Sequence, residues 1–171
     1  DQKLARSMGK RGRVVVRRNF VDRDARRFER DRHGTAVAGV ISASANNSLG
    51  IVGVAPGVEV IALKACWQID EQKDAAHCNS LTLAQALAAA ISENAQVVNL
   101  SLAGPRDPLL NALVAAGVAR GVLYVGASPA DAPADGFPGG APGVIPVDMA
   151  DSAAARNGVL RAPGREVVTL M

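Results

Sequence analysis

Short continuous aliphatic runs alternate along the chain with longer stretches of small residues at helical spacing, and the alternation predicts strands and helices in turn. Residues 13–20 (RVVVRRNF) read as a strand, followed by a charged Arg- and Asp-rich loop over 21–32. Residues 35–45 are small and apolar enough for a buried helix, ended by the turn-forming Asn46-Asn47-Ser48-Leu49-Gly50. A buried strand over 58–65 precedes the clearest helix, 80–94 (SLTLAQALAAAISEN), where Ser80 is the expected N-cap. The strand 96–102 (QVVNLSL) leads to a helix over 107–120, with Pro108 in its first turn and Gly121 after its last. Strands over 122–127 and 144–147 follow, joined across the Pro/Gly-rich stretch 129–143, and residues 166–170 are strand-like again. Strands that are aliphatic throughout and separated by helices imply a mainly parallel sheet covered on both faces, an α/β architecture built as a three-layer αβα sandwich.

Composition agrees with that class. The 171 residues have a mass of 17.6 kDa, are 49% hydrophobic and have a mean hydropathy of +0.13, which excludes a disordered chain and fits one domain with a sizeable core. Aromatics make up only 3%, so the core is aliphatic and helices must pack closely on the sheet. No apolar run reaches membrane-spanning length, and the basic start DQKLARSMGKRGR contains no secretory apolar segment. The net charge of +3 is unevenly placed: residues 1–33 hold 12 of the 19 Lys and Arg and 5 of the 16 Asp and Glu, a local net charge of +7. Such an arm could neutralise phosphates. Against a nucleic-acid partner stand the lack of aromatic interleaving beyond Phe20 and Phe28 and the acidic remainder, so a solvated face or an acidic partner fits better.

Of the two histidines, His33 lies in Asp31-Arg32-His33-Gly34-Thr35-Ala36-Val37-Ala38-Gly39, where loop becomes helix. An imidazole fixed there can project into a cleft and act as a general base, while Gly34, Ala38 and Gly39 let the helix lie close to the sheet. Taken alone it could equally cap the helix. HGTAVAG, however, resembles the HGTHVAG histidine motif of the subtilisin-like serine peptidases, with Ala36 in place of a second histidine. Four further stretches resemble that family in the right order: Gly50-Ile51-Val52-Gly53-Val54-Ala55-Pro56, the strand-and-turn VVNLSLAGP over 97–105, Phe137-Pro138 with PGVIPV over 142–147, and Ala162-Pro163-Gly164.

The resemblance implies peptide hydrolysis through an acyl-enzyme, with His33 taking the proton from a serine hydroxyl and returning it to the leaving amine. It also implies that Ser101, Leu102, Ala103 and Gly104 form an extended segment that pairs with substrate backbone and lines the primary pocket; without it, 101–102 would read as plain buried strand. Three departures stand out. The D-[ST]-G motif of the orienting aspartate is absent, since Asp1, Asp22 and Asp24 have no such context, and so is the nucleophile motif G-T-S-x-A. Both would fall beyond the ends, as expected of the central part of a catalytic domain: a single partial domain with a basic strand and loop over 1–32 and the family region over 33–171. The third departure is internal. The oxyanion motif A-x-G-N matches Ala127-Ser128-Pro129-Ala130, so Ala130 stands where an asparagine amide donates, a contribution of about 10²- to 10³-fold in subtilisin itself. Asp131 could substitute only when protonated.

A non-catalytic peptide-binding or inhibitory module on the same scaffold is the alternative these departures raise, and complementary fragments supplying Asp and Ser are a further one. Cys66 and Cys78 flank the polar segment 68–77. Two free thiols would suit a cytosolic protein. A metal site with His77 lacks the usual paired spacing. The secreted nature of the resembled family implies a disulfide, worth about 3 kcal/mol by loop closure, and a secreted, periplasmic or cell-surface location. Structural calcium, common in that family, has Asp70, Glu71 and Asp74 as its nearest acidic cluster; no other cofactor is expected, and the expected partner is a peptide or protein substrate.

Overall fold

A computed structural model describes residues 13–22, 32–48, 50–68, 76–128, 133–148, 159–160 and 168–169. The chain divides into two compact units, Asp1–Ala86 and Leu87–Met171.

In the first unit, β1 (Arg13–Asn19) and β2 (Glu59–Lys64) run parallel, with Arg13 opposite Glu59 and Asn19 opposite Lys64 and a register shift between Val14 and Val16. Parallel neighbours need a crossover, and α1 (Arg32–Ser42) supplies it. The helix begins three residues earlier than the small-residue pattern predicts and ends at Ser42. Its C-terminal carbonyls explain the end: Gly53, Val54 and Ala55 donate their N–H groups to the oxygens of Ala43, Val40 and Ile41 at 2.8–2.9 Å, satisfying acceptors that a helix end leaves open. Gly53 is required for that approach, because a Cβ there would lie 2.7 Å from both Ile41 O and Ser42 N. The turn after the helix uses positive φ at Asn46, Ser48 and Gly50.

At the two ends of the polar segment 68–77, expected as turn-like, β3 (Cys66–Gln68) and β4 (Ala76–Cys78) pair as an antiparallel hairpin. Cys66 lies directly opposite Cys78, and the two form a disulfide. Behind the hairpin, buried Thr82 donates from Oγ1 to the carbonyl of Ala65 at 2.7 Å. Thr82 belongs to α2 (Ser80–Ser92), whose N-cap role falls to Asn79: its side-chain oxygen accepts from the Thr82 N–H at 2.8 Å, so the expected cap moves one residue upstream. Asn94, at φ 55°, ends the helix, and Ala95 N–H reaches back to Ala90 O at 3.1 Å.

In the second unit, β5 (Val97–Leu100), β6 (Leu123–Ala127) and β7 (Val144–Val147) form one parallel sheet in that order. Between β5 and β6 lies α3 (Pro108–Val118), capped by Asp107, whose carboxylate accepts from Leu109 and Leu110 at 2.9 and 3.1 Å. Buried Leu110, Val114 and Gly117 lie on this helix, and Tyr124 and Val144 are buried on the sheet. The parallel α/β reading holds in both units, while the hairpin and the short antiparallel pair β8 (Val159–Leu160) with β9 (Val168–Thr169) add local pairing.

Helix and sheet approach closely at Gly117. A Cβ there would overlap the Tyr124 hydroxyl and lie 2.8 Å from its Cζ. Gly117→Ala therefore loses about 1–3 kcal/mol by overpacking, read as a lower urea midpoint at unchanged slope. The Tyr124 hydroxyl is buried and has no hydrogen-bond partner among the described residues. Burial raises its pKa above the ordinary value. The folded state thus keeps a proton that the unfolded chain releases, so the contribution is intact below about pH 10 and is lost as pH rises through the folded pKa. Tyr124→Phe should be at least as stable as the parent at neutral pH, by up to about 1 kcal/mol, and should flatten the alkaline decline in melting temperature; a loss above about 2 kcal/mol would contradict this account.

Candidate active site

His33 is the second residue of α1 and is exposed. The helix start carries it out of the charged loop, and the three amides at the other end of α1 hold the helix in place. The space beside it is open: a Cβ on Gly34 would meet nothing within 4 Å. An accessible imidazole on an anchored helix can exchange a proton with a bound partner. No acidic side chain lies in the first turn of α1, so an orienting carboxylate has to come from elsewhere.

At the carboxyl end of β1 the chain reads Arg17-Arg18-Asn19. Asn19 organises the turn that follows: its Oδ1 accepts from the N–H groups of Val21 and Asp22 at 3.0 and 3.2 Å, and its Nδ2 donates to Asp22 Oδ1 at 3.1 Å. Asp22, dismissed from the sequence for want of a following glycine, is thus a fixed carboxylate just beyond the strand. The signal for it was Asn19, an Asx residue at a strand end that competes for local backbone amides. Asp24 lies outside the described residues, as does Asp1.

The second unit holds segment 101–104, which continues from β5 with Ser101 and Ala103 exposed and Leu102 and Gly104 half-buried. Asn99 donates from Nδ2 to Ser101 Oγ at 2.8 Å, tying the first residue of the segment to the strand. The last residue is held by a backbone pair: Gly104 N–H donates to Phe137 O at 2.8 Å and Phe137 N–H to Gly104 O at 3.0 Å. Phe137 and Pro138 are buried and joined by a cis peptide. Composition gave no hint that these two stretches, more than 30 positions apart, pair with each other.

Ala130 falls outside the described residues, and so do Asp131 and the acidic cluster Asp70, Glu71 and Asp74. Cys66 and Cys78 are disulfide-bonded, and no cysteine is free. His77 sits exposed in β4 opposite Trp67. Among the described residues no group of three His, Cys, Asp or Glu side chains is placed to hold a metal ion, and no helix is long and apolar enough to cross a membrane.

These features have counterparts in known proteins. Residues 7–157 match the sequence profile of the Subtilase family. Subtilisin Savinase from Lederbergia lenta is 38% identical over 112 residues, 64% of this chain and 39% of its own length. A thermophilic serine proteinase from Bacillus sp. (strain AK1) is 35% identical over 91 residues, 53% of this chain and 21% of its own. The chain thus spans well under half the length of these relatives. The solved structure of Sphericase superposes with a TM-score of 0.65 at 22% identity, covering 91% of this chain and 54% of that one, which shows the same α/β fold over part of the larger structure. With the family profile matched across most of its length, the chain belongs to the subtilase family.

Proposed function

We propose that the chain is the histidine-bearing portion of a serine endopeptidase that cleaves peptide bonds through an acyl-enzyme. The observation that carries this reading is His33, exposed at the start of an anchored helix inside the family's own histidine motif. In the reaction, His33 removes the proton from a serine hydroxyl as the oxygen attacks the scissile carbonyl. It then passes that proton to the leaving amine, and repeats the exchange with water to release the acid product.

Segment 101–104 binds the substrate as an added strand, since an extended peptide offers the same backbone donors and acceptors whatever its sequence. Held at Ser101 by Asn99 and at Gly104 by Phe137, the segment is pre-shaped for this pairing, which lowers the ordering cost of binding. Peptides and unfolded proteins are the substrates. The Cys66–Cys78 disulfide supports an oxidising location, secreted, periplasmic or at the cell surface.

Two departures from the family pattern favour a second reading, in which the scaffold binds peptides without cutting them. The Ala130 side chain has no donor for an oxyanion, and residues 1–171 hold neither the D-[ST]-G nor the G-T-S-x-A motif. A serine-directed fluorophosphonate separates the two. Under the enzyme reading, the 171-residue chain alone stays unlabelled and leaves dye-quenched casein uncut. The full polypeptide that its gene encodes takes one label, and His33→Ala lowers its turnover by about 10⁶, the scale found for this triad member in subtilisin. Labelling or hydrolysis indifferent to His33→Ala would overturn the enzyme reading, and a full polypeptide that binds casein but never labels would establish the second.

A further inference from the structure

Four contacts within the second unit close a ring around segment 101–104. Leu100, the last residue of β5, pairs with Gly126 on β6. Gly126 faces Pro138 within the Pro/Gly-rich stretch and Val144 just after it: a Cβ there would lie 2.6 Å from Pro138 Cγ, 2.9 Å from Pro138 Cβ and 2.9 Å from Val144 Cγ1. Pro138 is bonded to Phe137, and Phe137 holds Gly104 by the two hydrogen bonds of 2.8 and 3.0 Å. From Gly104 the chain runs back through the segment to Leu100. Gly104 has no side-chain packing to locate it, since a Cβ there would meet nothing within 4 Å, so those two hydrogen bonds set its place.

The ring is stiff on one side and adjustable on the other. Gly126 lies in the central strand, with Leu100 on one side and Pro146 on the other, so its backbone cannot shift without breaking two ladders. Any atom added to Gly126 has to be accommodated by the Pro138 ring and the Val144 side chain. Both are buried, and close-packed interiors pass such displacements on to whatever they touch. Through the peptide bond to Phe137, the displacement arrives at Gly104.

We propose that Gly126 is a positioning residue for peptide recognition: the absence of a side chain there seats Pro138, and Phe137 thereby holds Gly104 at the register that segment 101–104 needs to pair with a peptide. The proposal rests on the reading of 101–104 as the peptide-binding edge, and it assigns the geometry of that edge to a buried strand residue that never touches the peptide.

Two readouts on the 171-residue chain test the coupling and the reading separately. The first is amide hydrogen exchange in Gly126→Ala. Gly104 and Phe137 N–H groups should exchange at least about tenfold faster than in the parent, while Ser128 N–H, which donates to Val147 O across the neighbouring ladder, keeps its protection. The second is binding of fluorescein-labelled β-casein, which should weaken by about tenfold, the scale of losing one or two backbone hydrogen bonds. Unchanged exchange at Gly104 in a folded Gly126→Ala chain overturns the proposal, and so does accelerated exchange with casein binding intact. Failure of the parent chain to bind casein is a failure of the peptide-edge reading, and exchange then still decides the coupling. Should Gly126→Ala not fold, Gly104→Pro removes the Gly104 donor at a half-buried turn; faster Phe137 exchange with about tenfold weaker casein binding supports the proposal, and unchanged binding overturns it.

Discussion

Parallel pairing is the constraint from which the rest of this structure follows. Two parallel neighbours cannot be joined by a tight turn, so the chain must leave the carboxyl end of one strand, cross the sheet and return to the amino end of the next. In the first unit that requirement puts α1 between β1 and β2 along the chain, and brings β2 out at the edge where β1 ends, where the hairpin begins. The second unit repeats the arrangement, with segment 101–104 leaving β5 and Ala127 and Ser128 leaving β6 on the same side of their sheet. Crevices outside the carboxyl ends of strands are where open α/β sheets bind ligands.

A second constraint comes from composition. With so few aromatic residues, layers have to be fixed by close approach of backbones rather than by large interlocking side chains. Gly53 brings three amides onto the end of α1, and Gly126 admits Pro138 against the central strand. The stabilisation at each point is modest, about 1 kcal/mol for a hydrogen bond, but the approach also fixes direction, and direction is what a catalytic or binding side chain requires. The hairpin is the exception: there a covalent bridge between directly opposed residues holds three residue pairs that could not stand alone.

How much could be read beforehand follows the range of each interaction. β7 and, to within one residue, the beginning of α3 were legible from periodicity and from Pro108, both local signals, while the end of α3 falls two residues before the expected one. The family was legible in the histidine motif at residues 33–39, and the disulfide was implied by the secreted nature of that family. The boundaries of α1 were not legible, since its end is dictated by amides 11 to 13 positions beyond Ser42. The cap of α2 was missed by one residue because Asn79 and Ser80 are both competent and tertiary placement chose between them. The hairpin was hidden by its polar sequence, which reads as turn until the cross-link fixes its register. The bond between Gly104 and Phe137 carries no local signature, being made by backbone atoms of two stretches that look like loop.

The contact between Gly117 and Tyr124 also has a meaning for how such a sequence can drift. The helix can approach the sheet here only because one position lacks a side chain while the other carries the bulkiest residue of that strand. Neither can change freely while the other stays. Among relatives that share this layer spacing, alanine or serine at position 117 should travel with a shorter residue at 124, and tyrosine at 124 with glycine at 117. The two sites would then vary as one character, visible as paired substitutions in lineages whose surface residues have otherwise diverged independently.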